Sequence, residues 1–119
     1  MSKLRTTSMT TKMTPTPRFE MLVGLHVTDD AQYDLYRAGM TPILESLGGY
    51  FRYDFRVSET LKAPEGEKFN RVFVLSFPDE QTKDEFFTNT IYKKVRNIHF
   101  DRAVGAGGII SSYTLPTHP

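Results

Sequence analysis

EGEKFNRVFVLSFPD, residues 65–79, joins a turn, the most apolar segment of the chain and a helix start without a break. Between Arg71 and Pro78 the side chains are mostly β-branched or aromatic, which is typical of a central strand covered on both faces. Asp79 follows at once and predicts the N-cap of a helix. The stretch therefore predicts a buried strand that leads into a helix, and the rest of the chain has to pack around it.

Two elements are predicted upstream of this strand. Residues 19–27 alternate with the period of a first strand. Asp29, with a glutamine at capping-box spacing, predicts a helix over residues 30–47, and Gly48-Gly49 supplies its left-handed end. Pro42 lies inside this helix, where it removes a backbone hydrogen bond, so we expect it to kink or split the helix.

Residues 50–59 predict a second strand with aromatic side chains on one face and charged side chains on the other. The Pro- and Gly-containing residues 60–70 predict a long hairpin connection between this strand and the central one.

After the central strand, apolar residues at helical spacing predict a second helix that begins at Asp79 and that Asn89-Thr90 breaks. The glycine-rich residues 105–108 predict a flexible segment, and residues 109–115 predict the fourth strand.

The predicted order βαββαβ is the ferredoxin-like pattern of the α+β class. It places two helices on one face of a four-stranded antiparallel sheet. The domain covers residues 19–115, between an N-terminal tail (1–18) and a C-terminal tail (116–119). Because the strands carry apolar residues on both faces, a second copy is expected to cover the open face, as in a homodimeric α+β barrel.

Residues 1–18 are rich in Ser, Thr and Met and show no periodicity, which is typical of a disordered tail. A short organelle presequence is the alternative, since such segments are Ser- and Arg-rich and poor in acidic residues. Residues 1–19 hold four basic and no acidic residues, which leaves eleven basic against fourteen acidic residues in the remainder. This acidic balance argues against a nucleic-acid partner.

The composition also limits the chemistry. Without cysteine there is no disulfide, thiol catalyst or Cys-ligated zinc, and no apolar run reaches the roughly 18 residues that cross a bilayer. The three histidines are scattered, and no Lys-Ser/Thr pair follows the glycine run as in a phosphate loop. We therefore expect a cytoplasmic protein with no membrane contact, no metal and no cofactor.

Several short motifs follow one another along the chain, each occurring once. They are Asp29 with Tyr33 and Tyr36, Pro42, Leu47-Gly48-Gly49 with Phe51, Glu65-Gly66 with Arg71, Phe77-Pro78-Asp79, and Tyr92 with Arg96. Through them the chain resembles domain-of-unknown-function family 1330, within the dimeric α+β barrel superfamily, over about residues 20–115. The resemblance implies a ferredoxin-like protomer that pairs sheet to sheet, with pockets between sheet and helices, and it implies no activity. The N-terminal extension and the longer 60–70 connection depart from the family pattern.

Arg71 is the first candidate functional residue because it opens a buried strand. Its guanidinium either pairs with a carboxylate, for which Glu65 is the nearest candidate, or waits for an anionic ligand. His26 lies on the less apolar face of the first strand, and its ordinary pKa of about 6.5 suits acid–base chemistry. A hydrogen-bonded structural histidine fits the same position.

Tyr33, Tyr36 and Tyr92 each need a hydrogen-bond partner when buried, and a pocket wall or an ordinary core provides one. The predicted ligand-binding residues are Tyr33, Tyr36, Glu65, Arg71, Tyr92 and Arg96; the catalytic candidates are His26, Tyr36 and Arg71.

Two functions follow from these candidates. The first is a homodimeric structural module, or one that binds a small organic molecule between helices and sheet. The alternative is a cofactor-free monooxygenase or isomerase for a small organic acid or enolisable substrate, as in other families of the superfamily. In it, His26 or Tyr36 moves a proton and Arg71 stabilises an enolate.

Overall fold

The computed structural model describes residues 17–116. The elements are β1 (Arg18–Val27), α1 (Asp30–Ser46), β2 (Tyr50–Arg56), a 3₁₀ turn (Pro64–Gly66), β3 (Arg71–Phe77), α2 (Glu80–Thr88), α3 (Thr90–Val95), a π-helical turn (Arg96–Phe100), α4 (Asp101–Ala103) and β4 (Val104–Leu115). All strand pairs are antiparallel, in the order β2-β3-β1-β4. The predicted ferredoxin-like α+β fold is confirmed.

Most of both predicted tails lies outside the described residues. The exception at the N-terminus is Pro17 with Arg18, and Arg18 is already the first residue of β1. Its guanidinium donates to the Ser76 hydroxyl at 2.8 Å and to the Gly48 carbonyl at 2.9 Å. The first strand therefore begins one residue earlier than predicted.

Helix α1 has the predicted ends. The Asp29 side chain accepts a hydrogen bond from the backbone N–H of Gln32 at 3.1 Å. At the other end Gly48, with φ at +81°, and Gly49 donate backwards to Glu45 and Leu44. These two reverse hydrogen bonds form a Schellman motif, which is the left-handed end that the glycine pair predicts.

Of the two expected effects of Pro42, the split does not occur, because α1 runs unbroken from residue 30 to residue 46. Tyr36, Met40 and Leu44 are buried on one stripe that spans the proline. Packing of this stripe against the sheet outweighs the one backbone hydrogen bond that proline removes.

Strand β2 contains a β-bulge that the sequence pattern does not reveal. Phe51 pairs with Leu75 and Tyr53 pairs with Val74, so Arg52 is the extra residue. Side chains alternate strictly along a strand, and one extra residue therefore moves every following side chain to the other face. Phe51 faces the helices, whereas Tyr53 faces away from them. The single aromatic face predicted for residues 50–59 is wrong, and the strand also ends early, at Arg56.

The predicted break in the second helix is confirmed at Asn89. This residue ends α2, and its side chain accepts a hydrogen bond from the backbone N–H of Tyr92 at 2.9 Å, which caps α3.

Strand β4 begins at Val104, five residues before the predicted start. The glycine run is part of this strand because it pairs closely with β1. At Gly107, φ is +124°, and a Cβ atom there would collide with the carbonyl oxygen of Gly24. Only glycine fits this approach, so the run is an ordered part of the sheet rather than a flexible linker.

The core lies between the helices and one face of the sheet, where residues such as Leu44, Phe77 and Phe86 are fully buried. The opposite face of the sheet, which we call the outer face, carries Tyr53, Phe55 and Ile110, all about half exposed. Within residues 17–116, no helix has the length and apolarity to cross a membrane.

Candidate functional site

A cavity of about 290 Å³ lies between the helix layer and the inner face of the sheet. Its sheet side is formed by apolar residues of three strands, Met21, Val23, Leu25, Phe51, Phe73 and Leu75. Its helix side is formed by Tyr36, Arg37, Met40, Phe87, Tyr92, Arg96 and Phe100. Binding pockets for small molecules are mostly apolar with a few convergent polar groups, and this cavity has that composition.

The glycines of β4 and the short helices explain why space remains here. Gly107 and Gly108 border the cavity and bring no side chain to fill it. On the helix side, the chain passes from α3 through the π-helical turn into α4, so no continuous helix covers β4. The cavity is therefore left between the helices and the sheet where the chain returns from α3 to β4.

Two phenols form the polar group of the cavity wall. The hydroxyls of Tyr36 and Tyr92 lie 2.9 Å apart, and both residues are buried. One hydroxyl donates to the other, so the second retains a hydrogen for which residues 17–116 offer no acceptor. The wall therefore presents one hydrogen-bond donor to a molecule in the cavity.

The environment keeps these phenols neutral. Burial raises the pKa of Tyr36 well above its ordinary value, and the neighbouring Tyr92 raises it further. Burial also raises the pKa of Tyr92, although the hydrogen bond with Tyr36 opposes the shift. Neither phenol gives up its proton near neutral pH, which suits a donor and not a base.

Arg37 is a cavity residue that the sequence does not single out. It donates to both carboxylate oxygens of Asp54, at 2.8 and 2.9 Å, and to the Tyr33 hydroxyl at 2.9 Å. Its guanidinium carbon lies 3.9 Å from the centre of the Phe51 ring. The hydrogen bonds from Arg37 hold the pKa of Asp54 below its ordinary value, so the pair is ionised and the charge of Arg37 is already neutralised.

Arg96 is the second guanidinium at the cavity, and it is exposed to solvent. It lies over the Phe100 ring at 4.4 Å and forms no ion pair with any described residue. Since Arg96 both lines the cavity and reaches solvent, it marks the cavity mouth with an uncompensated positive charge.

The expected pair of Arg71 with Glu65 is not formed. Glu65 is exposed in the 3₁₀ turn with φ at +56°, and it takes part in no ion pair within the described chain. Arg71 instead lies over the Tyr33 ring at 4.6 Å, outside the residues that line the cavity. The left-handed turn at Glu65 leaves its carboxylate in solvent, whereas the arginine is buried on the helix side of the sheet.

His26 lies on the outer face of β1, because its neighbours Leu25 and Val27 are buried on the helix face. Its Nδ1 atom is buried and has no hydrogen-bond partner among residues 17–116. The sheet separates His26 from Tyr36, so these two catalytic candidates do not share a site.

Of the residues predicted for ligand binding, the structure brings Tyr36, Tyr92 and Arg96 to the cavity and leaves Glu65 and Arg71 away from it. Tyr33 is buried next to the cavity residue Arg37. The residues that sequence reasoning missed are Arg37, Met40, Phe51, Phe87 and Phe100. Their helical or strand spacing is that of any core residue, which leaves no signal for a cavity.

Comparisons with known proteins agree on the fold. The family model described as "Domain of unknown function (DUF1330)" matches residues 21–112. No curated protein matches the chain in sequence.

Among solved structures, the chain is similar to RPA0582, a protein of unknown function from Rhodopseudomonas palustris, with 20% identity, a TM-score of 0.73, and 87% of this chain and 85% of that chain covered. It is also similar to a dabb family protein with a ferredoxin-like fold from Mesorhizobium loti, with 13% identity, a TM-score of 0.59, and 84% of this chain and 97% of that chain covered. At these identities the likeness concerns the fold.

Proposed function

The chain belongs to domain-of-unknown-function family 1330, and on that premise we propose that it is a homodimeric module that binds one small, mostly apolar, weakly acidic molecule. The binding site is the cavity between the helices and the sheet. The observation that carries this proposal is the combination, in one apolar cavity, of a spare tyrosine hydrogen and an uncompensated arginine at the mouth.

The wall chemistry defines the ligand class. Aromatic and aliphatic side chains cover most of the cavity, so the body of the ligand is apolar. The Tyr36–Tyr92 pair donates one hydrogen bond, which calls for a carbonyl, ether or carboxyl oxygen deep in the cavity. Arg96 at the mouth favours an anionic end group. A small aryl or alkyl carboxylic acid with a second oxygen combines these features.

The outer face of the sheet supports the homodimer. Tyr53 and Phe55 stack with their ring centres 5.9 Å apart, and both are about half exposed. Exposed apolar patches of this kind mark protein–protein contacts, and a two-fold contact between identical sheets is the simplest closed assembly. In this arrangement the two cavities lie on opposite sides of the paired sheets.

Native mass spectrometry of protein purified without added ligand tests both parts of the proposal. We expect the spectrum to show a dimer that carries a discrete extra mass. If the dimer is bare, thermal unfolding with added benzoate or octanoate should show a raised melting temperature. A monomer would contradict the proposed homodimer. A bare dimer that neither carboxylate stabilises would contradict the proposed ligand binding.

Matched variants assign a bound molecule to the cavity. Arg96→Gln removes the charge at the mouth, and Lys94→Gln removes an exposed charge of α3 that does not line the cavity. We expect Arg96→Gln to weaken carboxylate binding about tenfold, in line with the loss of about 1.4 kcal/mol, while Lys94→Gln binds as the natural protein does. Equal affinities in both variants would place the ligand elsewhere.

The alternative, a cofactor-free monooxygenase or isomerase, gains no specific support from the candidate residues. His26 lies on the other face of the sheet, Arg71 does not line the cavity, and burial raises the pKa of Tyr36. The alternative is tested by measuring turnover of an enolisable acid. If it holds, His26→Ala and Arg71→Ala should each abolish turnover, and unchanged turnover would exclude it.

A further inference from the structure

Two arginines lie directly opposite each other on neighbouring strands. Arg56 of β2 and Arg71 of β3 are register partners, so their side chains leave the same face of the sheet. That face is the helix side, because the guanidinium of Arg71 lies over the ring of Tyr33 in α1, at 4.6 Å. Like charges directly opposite on a sheet destabilise it, so a pair of this kind calls for a counter-charge.

Arg71 is buried without a partner. The residue is 8% exposed, and its Nε and Nη1 atoms reach neither solvent nor any acceptor among residues 17–116. A buried polar group without a hydrogen bond costs about 1–3 kcal/mol, and more when it is charged. Protein sites accept such a cost where a bound group completes the hydrogen bonds.

Asp54 is the carboxylate whose pKa the charges of Arg71 and Arg56 both lower, and it is already in use. Asp54 is two residues from Arg56 on β2, and both its oxygens accept hydrogen bonds from Arg37. No ion pair joins Asp54 to Arg56 or Arg71. Three guanidinium groups therefore act on the Asp54 carboxylate, and only that of Arg37 is paired with it.

We propose that Arg56 and Arg71 form a binding site for a small oxyanion, a carboxylate or phosphate group, at the end of β2 and β3. The site is separate from the cavity, since neither arginine lines it. Guanidinium groups match the planar geometry of oxyanions and hold them through parallel charge-assisted hydrogen bonds. The Tyr33 ring lies 4.6 Å from the Arg71 guanidinium carbon on one side. The exposed Arg56 provides the entry, and the buried Nε and Nη1 atoms of Arg71 reach the anion when this side chain turns toward Arg56.

Titration of the protein with inorganic phosphate, and separately with acetate, tests this site. Chloride keeps the ionic strength constant, and the side-chain N–H signals of the arginines are followed by NMR. We expect a saturable shift of the Arg71 Nε–H signal. Saturation by phosphate alone would indicate a phosphorylated ligand, and saturation by both anions would indicate recognition of any oxyanion; both results support the site.

Arg56→Gln is the main test variant because Arg56 is exposed and its loss leaves the core intact. We expect it to weaken anion binding at least about tenfold, and Arg71→Lys to do the same, since lysine keeps the charge without the planar donors. Lys94→Gln is the charge-matched control and should bind as the natural protein does. A shift that grows linearly with each anion, or equal binding by Arg56→Gln and Lys94→Gln, would overturn the proposal. If Arg71→Lys does not fold, Arg56→Gln decides alone.

Discussion

The hydroxyl of Tyr36 meets that of Tyr92 at 2.9 Å, although the two residues are 56 positions apart in the chain. This contact joins α1 to α3 on the cavity wall. Among residues 17–116 it is the only hydrogen bond between a side chain of α1 and a side chain of α3. It therefore holds the two helices together at the cavity wall. We therefore expect both the stability and the proposed ligand binding to depend on it.

A double-mutant cycle measures this contact. Tyr36→Phe or Tyr92→Phe leaves one buried hydroxyl without a partner, so each should lower the free energy of unfolding by about 1–3 kcal/mol. The double variant should lose less than the sum of the two, because no buried hydroxyl remains unpaired. Urea unfolding of the four proteins gives the coupling. Strict additivity would show that the two hydroxyls do not interact.

The buried carboxylate of Glu20 should make the free energy of unfolding depend on pH. It is fully buried on the outer side of β1 and accepts hydrogen bonds from Arg52 at 2.6 and 2.8 Å and from Tyr113 at 3.0 Å. Burial alone would raise the pKa of Glu20, but its hydrogen bonds, first that from Arg52, hold it below the ordinary value.

Because the pKa of Glu20 is lower in the folded than in the unfolded protein, its contribution is present above the unfolded value, about 4.3, and is lost as the pH falls through the folded value. Urea unfolding at pH 7 and pH 3 should show that Glu20→Gln costs more stability at pH 7 than at pH 3. Glu45→Gln, which changes an exposed carboxyl, should cost the same at both pH values. A Glu20→Gln cost that does not change with pH would contradict this role.

Two adjacent glycines of β4 should respond differently to alanine. At Gly107 the added Cβ atom would collide with the Gly24 carbonyl, and φ is +124°, whereas at Gly108 it would meet nothing within 4 Å. Thermal unfolding should show that Gly107→Ala loses about 1–3 kcal/mol and that Gly108→Ala stays close to the natural protein. Equal losses would mean that β4 does not approach β1 as closely as described.

The outer face of the sheet should control assembly. Phe55→Asp places a charge among the exposed aromatic residues of β2, and Leu35→Asp makes the same change at an equally exposed position of α1; the two residues are 53% and 51% exposed. Sedimentation velocity should show a monomer for Phe55→Asp, because an unpaired charge in an apolar contact is costly, and a dimer for Leu35→Asp. A dimer in both variants would place the contact elsewhere.

The fold was predictable because its signals are local. Capping residues such as Asp29 and Asp79, and the glycine pair after α1, act through neighbouring backbone groups, and the structure shows each in its predicted role. The central strand is recognisable from its β-branched and aromatic run alone.

The site was only partly predictable because its contacts join distant segments. Tyr36 and Tyr92 carry a sequence signal as phenols that need partners. Arg37 and Phe51 carry none, because an arginine on a helix and an aromatic residue in a strand are ordinary in other positions. The distance between Glu65 and Arg71 along the chain suggested a pair, but the left-handed backbone at Glu65 turns that carboxylate away.

The bulge at Arg52 decides which side chains of β2 face the cavity and which face outward. Phe51, before the bulge, borders the cavity, and Tyr53, after it, belongs to the outer face. If β2 paired without the bulge at its present length, strict alternation would turn over its second half, carrying Tyr53 and Phe55 into the helix layer and Asp54 outward. Arg37 would then lose its partner and the outer face would lose its stacked rings, so a single extra residue keeps the ion pair and the stacked rings on opposite sides of one short strand.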